Sequence, residues 1–314
     1  MTLIKALGLA IIGVLVIGGA LVGLSYGRDM AAARARVAAG SRMIDTACGP
    51  VEYGELGDGP PVLVIHGAGG GYDQGLTLGQ YLLGDGYRIV ALSRFGYLNA
   101  PIPADSSLEA QADSYVCLLD ALGIEGPVPV VAVSAGGPSG LATAARHPER
   151  VAALAMVGAI SLTEEPTRDA AEQQNTINMA VGGSFIYWAV NETLQPKLLE
   201  VMGIPPEVQA AFSPETRAAG ERVMDEMHPM AQRLPGIQLD QTRRVPAALA
   251  AQVTAPTLVL HCEDDGLVPL SHGQHTHDSI AESSLVTYPT GGHFFAGRFE
   301  EVQGSIRAFL AGPG

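Results

Sequence analysis

From Val128 to Gly140 the chain reads Val-Pro-Val-Val-Ala-Val-Ser-Ala-Gly-Gly-Pro-Ser-Gly, and few folds accommodate such a stretch. A valine-rich run without polar alternation is apolar on both faces, so it fits a strand buried within a parallel sheet. The small residues after it fit a tight turn into a helix, which Leu141-Ala142-Thr143-Ala144-Ala145-Arg146 continues. Ser134 stands at the corner. A side chain there is forced into a crowded backbone conformation, and Ala132, Ala135, Gly136 and Gly137 are the small neighbours that permit it. Its hydroxyl is then presented at the end of a sheet.

The pattern small-x-Ser-x-Gly matches the strand-to-helix turn that exposes a nucleophilic serine, with Ala132 in place of the motif's first glycine. A glycine-rich turn with an incidental serine has the same five residues, so the reading depends on partners elsewhere. At 314 residues there is room for one large α/β domain with an insertion, or for two small domains. The net charge of -14 speaks against nucleic acid as a partner and against docking of the globular part on anionic lipid; solubility is the plain reason for it. Cys48, Cys117 and Cys262 are odd in number and widely spaced, which suggests no disulfide framework or zinc cluster, and they are expected to be buried small hydrophobes.

Ala6 to Tyr26 carries no charge. Roughly 21 residues at ~1.5 Å each span about 30 Å, a bilayer core. The reading is a transmembrane anchor over residues 1–28; a cleaved signal peptide is the competitor, although its apolar region would exceed the usual ~7–15 residues. Lys5 flanks one side and Arg28, Arg34, Arg36 and Arg42 the other, which favours a cytoplasm-facing globular domain, with the exported side still open. Residues 29–43 read as a short helical linker, with the folded domain starting near Ile44.

Strands are expected at Val51–Leu56, Val62–Ile65, Tyr87–Leu92, the Ser134 run, Val151–Val157, Ala255–His261 and Leu285–Tyr288. Helices fall between them: about Gly75–Leu83, one capped by Ser106 and running through Leu122, Pro138–Arg146, and about Phe299–Leu310. This alternation predicts an α/β fold, a doubly wound, mostly parallel sheet covered on both faces. Its core is residues 44–160 and 246–314. The rhythm changes over 161–245, where helix-like stretches at Arg168–Val181, Phe185–Met202 and Pro214–Met230 suggest an inserted helical cap. Met179, Met202, Met224, Met227 and Met230, with Phe185, Tyr187 and Trp188, either form that insertion's own core or line an apolar pocket.

His66-Gly67-Ala68-Gly69-Gly70-Gly71 follows the second strand. Bare backbone lets N–H groups approach a bound atom, as an oxyanion hole requires; a phosphate cradle would need a Lys-Ser/Thr ending that is missing. His66 is expected to brace this turn. A serine nucleophile needs a base, and the base needs a carboxylate to fix its tautomer. An acid after a late strand and a histidine in a later loop, in the order Ser, Asp, His, meet that need. Asp265 and His293 stand there, with Glu263 and Asp264 as rival acids. His272, His275 and His277 read as a solvated cluster, with zinc at His275-Thr276-His277 a remote alternative.

These landmarks, namely His66-Gly67-Ala68-Gly69-Gly70, Ser93-Arg94-Phe95-Gly96-Tyr97, Ala132-Val133-Ser134-Ala135-Gly136, Asp265-Gly266-Leu267-Val268-Pro269 and Gly291-Gly292-His293, resemble the α/β-hydrolase fold superfamily over about Val51 to Leu310. The resemblance implies Ser134 as nucleophile, His293 as base and Asp265 as its orienter, the last selected by the Asp-x-x-Val-Pro pattern. It also implies the backbone N–H groups of Ala68 and Ala135 as oxyanion hole; no cofactor and no metal are expected. Haloalkane dehalogenases and epoxide hydrolases are similar in fold but carry an aspartate where this chain has Ser134. The expectation is therefore a membrane-tethered serine hydrolase, esterase-like, on a small apolar acyl substrate. A carbon–carbon bond hydrolase, a lipase or a cofactor-free haloperoxidase would use the same residues, and a catalytically silent binding protein is the alternative outside enzymes.

Overall fold

The computed structural model describes residues 3–163 and 183–312. The helix expected over Arg168–Val181, and Met179 with it, lies outside the described residues. The chain divides into two compact units, 1–39 and 40–314.

In the first unit, helix α1 runs from Leu3 to Gly40 without a break. The expected linker is its continuation, because the Ala/Arg-rich residues after Arg28 are strong helix formers and nothing before Gly40 ends the helix. From Leu7 it reaches a mean hydropathy of 2.6, so by length and composition it can cross a membrane.

The second unit is built on an eight-stranded sheet of order β1-β2-β4-β3-β5-β6-β7-β8. The strands are β1 Arg42–Thr46, β2 Gly49–Leu56, β3 Pro61–Ile65, β4 Arg88–Leu92, β5 Val128–Val133, β6 Val151–Val157, β7 Thr257–Cys262 and β8 Ser283–Tyr288. From β4 to β8 all pairings are parallel; β2 runs antiparallel to β4, and β1 to β2. β1 begins two residues before the expected domain start. It carries no apolar run, and its pairing with β2, Ile44 opposite Val51, is what makes it a strand.

The buried strands alternate side chains between two cores, as a pleat requires. Leu63, Ile65, Val130 and Ala132 pack on one face with Tyr115, Leu118 and Leu141. These last come from α3 (Leu108–Ala121) and α4 (Gly137–Arg146). Val62, Val64, Val131 and Val157 pack on the other face with Leu82, Leu83, Val302 and Ile306. Those helices are α2 (Tyr72–Leu83) and one spanning Phe299–Ala311. The cap of α3 is Ser107, whose hydroxyl accepts the Ala110 N–H, and not Ser106, whose carbonyl is taken by Arg243.

Between β6 and β7 the described residues hold no strand. They form α5 (Ser184–Val201, interrupted at Leu194 ahead of Pro196), α6 (Pro206–Ala210), α7 (Pro214–Glu226) and α8 (Leu234–Thr242). Tyr187, Leu198, Leu199, Ile204, Met224, Met227 and Met230 give this stretch its own apolar cluster.

Cys48 and Cys117 are joined in a disulfide, contrary to the expectation of buried free thiols; Cys262 is the buried free cysteine. The partners are 69 residues apart in sequence. They meet because the β1–β2 hairpin folds back against α3, a juxtaposition that spacing does not encode. Closing a loop of this length restricts the unfolded chain, so Cys117→Ser is expected to lower the unfolding free energy by about 2–4 kcal/mol. Denaturant titration checks this: dithiothreitol should destabilise the wild type by a similar amount and leave Cys117→Ser unchanged.

Candidate active site

Ser134 has φ +52, the left-handed corner between β5 and α4, and its neighbours show why they must be small. A Cβ on Gly136 would lie 2.7 Å from the His66 carbonyl oxygen, and one on Gly137 would strike the Ile160 carbonyl. A Cβ on Gly140 would sit 2.6 Å from the Ala132 methyl. Strand and helix therefore approach closely at one point, and the methyl that the motif usually forbids at 132 is accommodated because 140 has none.

The turn brings Ser134 to the later loops. His293 Nε2 lies 2.9 Å from Ser134 Oγ, and His293 Nδ1 lies 2.8 Å from Asp265 Oδ2. With Asp265 ionised, Nδ1–H donates to it and Nε2 is left to accept the serine proton. The other oxygen, Oδ1, accepts the N–H groups of Leu267 and Val268, both at 2.9 Å. All three side chains are buried. The rival acids have other places: Asp264 accepts the N–H groups of Gly292 at 2.8 Å and Gly291 at 3.2 Å, while Glu263 accepts the exposed Thr287 hydroxyl. Asp264 thus holds the loop that carries His293. From the helical stretch, the Gly203 carbonyl accepts the N–H groups of His293 (3.1 Å) and Gly266 (3.4 Å), tying the acid and histidine loops together. No motif marks Gly203.

The glycine loop lies against the serine, since a Cβ on Gly67 would be 3.1 Å from Ser134 Cβ. Neither the Ala68 nor the Ala135 N–H is taken by a backbone carbonyl among the turn and loop hydrogen bonds of the described residues. His66 braces the turn: Nδ1–H donates to the Gly67 carbonyl at 2.7 Å, and Nε2 accepts the Arg94 N–H at 3.0 Å. Burial, then the Arg94 charge, push its pKa well below the ordinary histidine value, so it is neutral. Two buried guanidiniums grip the same loop. Arg94 donates to the Gly67 carbonyl and to both oxygens of Asp240 on α8. Arg233 donates to the Gly70 carbonyl at 2.6 Å and forks onto Asp73. Arg94 lies in a landmark of the sequence; Arg233 carries no signal.

His272 corrects the expectation of a solvated cluster. It is buried, with Nδ1 accepting the Ser161 N–H. Nδ1 of His275 lies 3.0 Å from the Ser161 hydroxyl, and that of His277 2.9 Å from the Ser283 hydroxyl. Residues 272 and 275 are one helical turn apart on the helix Leu270–Ser279 and face the same serine.

A cavity opens beside Ser134 and His293, walled by Leu78, Met202, Ile204, Phe212, Met224, Met227 and Phe299 among others. Space open to the centre of a water molecule is ≈ 100 Å³. Met224 and Met227 serve both as the helical stretch's core and as cavity wall. Among the described lining residues none is Lys, Arg, Asp or Glu.

Residues 60–296 match the family model of the alpha/beta hydrolase fold. The uncharacterized hydrolase YcgS of Bacillus subtilis (strain 168) is 30% identical over 82% of this chain and 93% of its own. A 2-hydroxymuconate semialdehyde hydrolase of Pseudomonas sp. (strain CF600) is 27% identical over 81% of this chain and 89% of its own. Among solved structures, an alpha/beta hydrolase fold protein from Nakamurella multipartita superposes with a TM-score of 0.68 at 28% identity, covering 86% of this chain and 98% of that one.

The close approach at the elbow has a measurable consequence. Gly140→Ala is expected to destabilise the fold by about 1–3 kcal/mol through overpacking. Adding Ala132→Gly should restore most of that, because the methyl is then exchanged across the same gap. A double-mutant cycle by chemical denaturation reads the coupling; a double variant no more stable than Gly140→Ala would show that this contact is not the constraint.

Proposed function

Because this chain belongs to the α/β-hydrolase fold family, we propose that it is a serine hydrolase that cleaves a carboxylic ester through an acyl-enzyme. The observation that carries the reading is the unbroken line Ser134 Oγ, His293, Asp265, each link under 3 Å. In this reading His293 takes the proton as Ser134 attacks the acyl carbonyl, and Asp265 stabilises the imidazolium. The tetrahedral oxyanion is received by the Ala68 and Ala135 N–H groups, each worth ~10²–10³ in turnover. Collapse expels the alcohol with the proton from His293, and a water activated by the same imidazole hydrolyses the acyl-enzyme.

The second reading is carbon–carbon bond hydrolysis, favoured by the likeness to the 2-hydroxymuconate semialdehyde hydrolase. A dienoate brings a carboxylate, and a buried anion needs a partner. The described cavity lining has no cation, and the two arginines nearest the loop are committed to Asp240 and Asp73. An uncharged acyl group suits this cavity better. In this reading helix α7 and its flanking segments, which wall the cavity between Met202 and Met227, serve as the lid on that acyl group.

The test is direct. A fluorophosphonate probe should label the wild type and not Ser134→Ala, and hydrolysis of p-nitrophenyl butyrate should fall by at least about 10³-fold in that variant. Ser134→Ala with wild-type turnover would remove the proposal, and faster cleavage of a vinylogous diketone than of any ester would move it to the second reading.

Helix α1 is the membrane anchor in this proposal, with a signal sequence as its alternative. The Cys48–Cys117 bond favours the oxidising side of the membrane for the globular unit, against the orientation suggested by the flanking arginines, because disulfides are rare in a reducing cytosol. The chain is expected to stay with membranes through an alkaline carbonate wash, and its globular unit to be digested by protease added outside intact spheroplasts. Release by the wash would indicate a cleaved signal, and protection from the protease the inward orientation.

A further inference from the structure

Among the described residues, the polar side chains lining the cavity are Gln74, Tyr81, Ser134, Thr216 and His293. Ser134 and His293 engage each other, and Thr216 accepts the Ser213 hydroxyl. Tyr81 is half-buried, its ring stacked on Phe299. Gln74 is different: only 5% exposed, and committed at one end alone. Its Oε1 accepts the Gly67 N–H at 3.2 Å, which settles the amide's orientation, since an N–H can be met only by the oxygen. The Nε2 group is then turned from the loop. It has no hydrogen-bond partner among the described residues, and Gln74 is one of the residues that line the cavity.

The surroundings keep a place for this carboxamide. A Cβ on Gly70 would lie 2.8 Å from Gln74 Cδ and 2.6 Å from His66 Nδ1. Helix α2 cannot shift to release the side chain inward, because Gly75 and Gly79 set it flush on β4: a Cβ on either would come within 2.8 Å of Ala91 or Ile89. An amide donor held in an apolar cavity without an acceptor is costly to keep dry. Such a group orients a ligand and discriminates against analogues that leave it unpaired.

We propose that Gln74 is a specificity residue whose Nε2 donates to an oxygen of the substrate near the scissile carbonyl. The acyl group this enzyme takes is then apolar in bulk but carries an ether or keto oxygen close to its carboxyl end. Proximity follows from the loop: Gln74 holds the N–H of Gly67, Gly67 lies against Ser134, and Ala68 follows directly. The substrate class rests on the serine-hydrolase reading; the donor's preference for an oxygen does not.

Two matched pairs of acyl groups test it: methoxyacetyl against butyryl, and 3-methoxypropionyl against pentanoyl. As p-nitrophenyl esters they give a ratio of kcat/KM, oxygen-bearing over all-carbon, for the wild type, Gln74→Glu and Gln74→Met. Intrinsic reactivity cancels when the ratios are compared between proteins. Glutamate keeps an acceptor for the Gly67 N–H and removes the donor; methionine removes both. The wild-type ratio is expected to exceed both variants' by about 10-fold in at least one pair. As ethyl esters the same pairs are titrated into Ser134→Ala, with and without the Gln74 changes, and the ratio of Kd should shift the same way. Equal slowing of both members of each pair would assign Gln74 to bracing the loop or to the oxyanion, and would overturn the proposal. So would Kd ratios that agree within twofold across the three side chains. Failure of the wild type to hydrolyse any ester would fall on the serine-hydrolase reading, and the Kd ratios would still decide the role of Gln74.

Discussion

The backbone at Ser134 is where the molecule accepts strain, and much of the surrounding packing exists to hold it there. A non-glycine residue at φ +52 persists when its neighbours over-determine the turn. Here they do so by contact: Gly136 against the carbonyls of Ile65 and His66, Gly137 against Ile160, and Gly140 against Ala132. Each contact joins the end of one buried strand to the start of α4. The sheet therefore acts as the rigid body against which one hydroxyl is aimed, and the two apolar cores on its faces supply the rigidity.

The glycine loop after β3 is held differently, by charge. Glycine-rich backbone is entropically costly to order, and this loop is gripped at Gly67 and Gly70 by Arg94 and Arg233. Each guanidinium is neutralised by a carboxylate across the interface with the helical stretch, Asp240 for Arg94, or Asp73 reached by Arg233 from that stretch. Buried pairs of this kind contribute little net stability over an apolar packing, but breaking one strands a buried charge. Their effect here is positional. The Gly67 and Gly70 carbonyls are turned toward the arginines, and the Gly67 N–H toward Gln74.

The later loops show the same division between chemistry and support. Two adjacent acids have separate tasks: Asp265 meets the imidazole, and Asp264 binds the backbone that carries it. Gly203 reaches in from the helical stretch to the same loops. That stretch is thus part of the frame that positions the histidine as well as a wall of the cavity, so a motion that opened it would be felt at His293.

Local chemistry was enough, from the sequence, for the alternation of strands and helices, the serine corner, the bracing histidine and an apolar amino-terminal helix, while the choice of Asp265 over Glu263 and Asp264 came from the family resemblance. Those signals are steric or periodic over a few residues: valine runs, small residues around a turn, a strand ending in an acid. What only the tertiary structure decided was pairing at a distance. The Cys48–Cys117 bond, the strand β1, the grip of Arg233 on Gly70 from 163 residues away, and the orientation of Gln74 have no local pattern. A hydrogen bond or a disulfide is specified by where two groups lie in space, and a sequence states that only once the chain between them has folded.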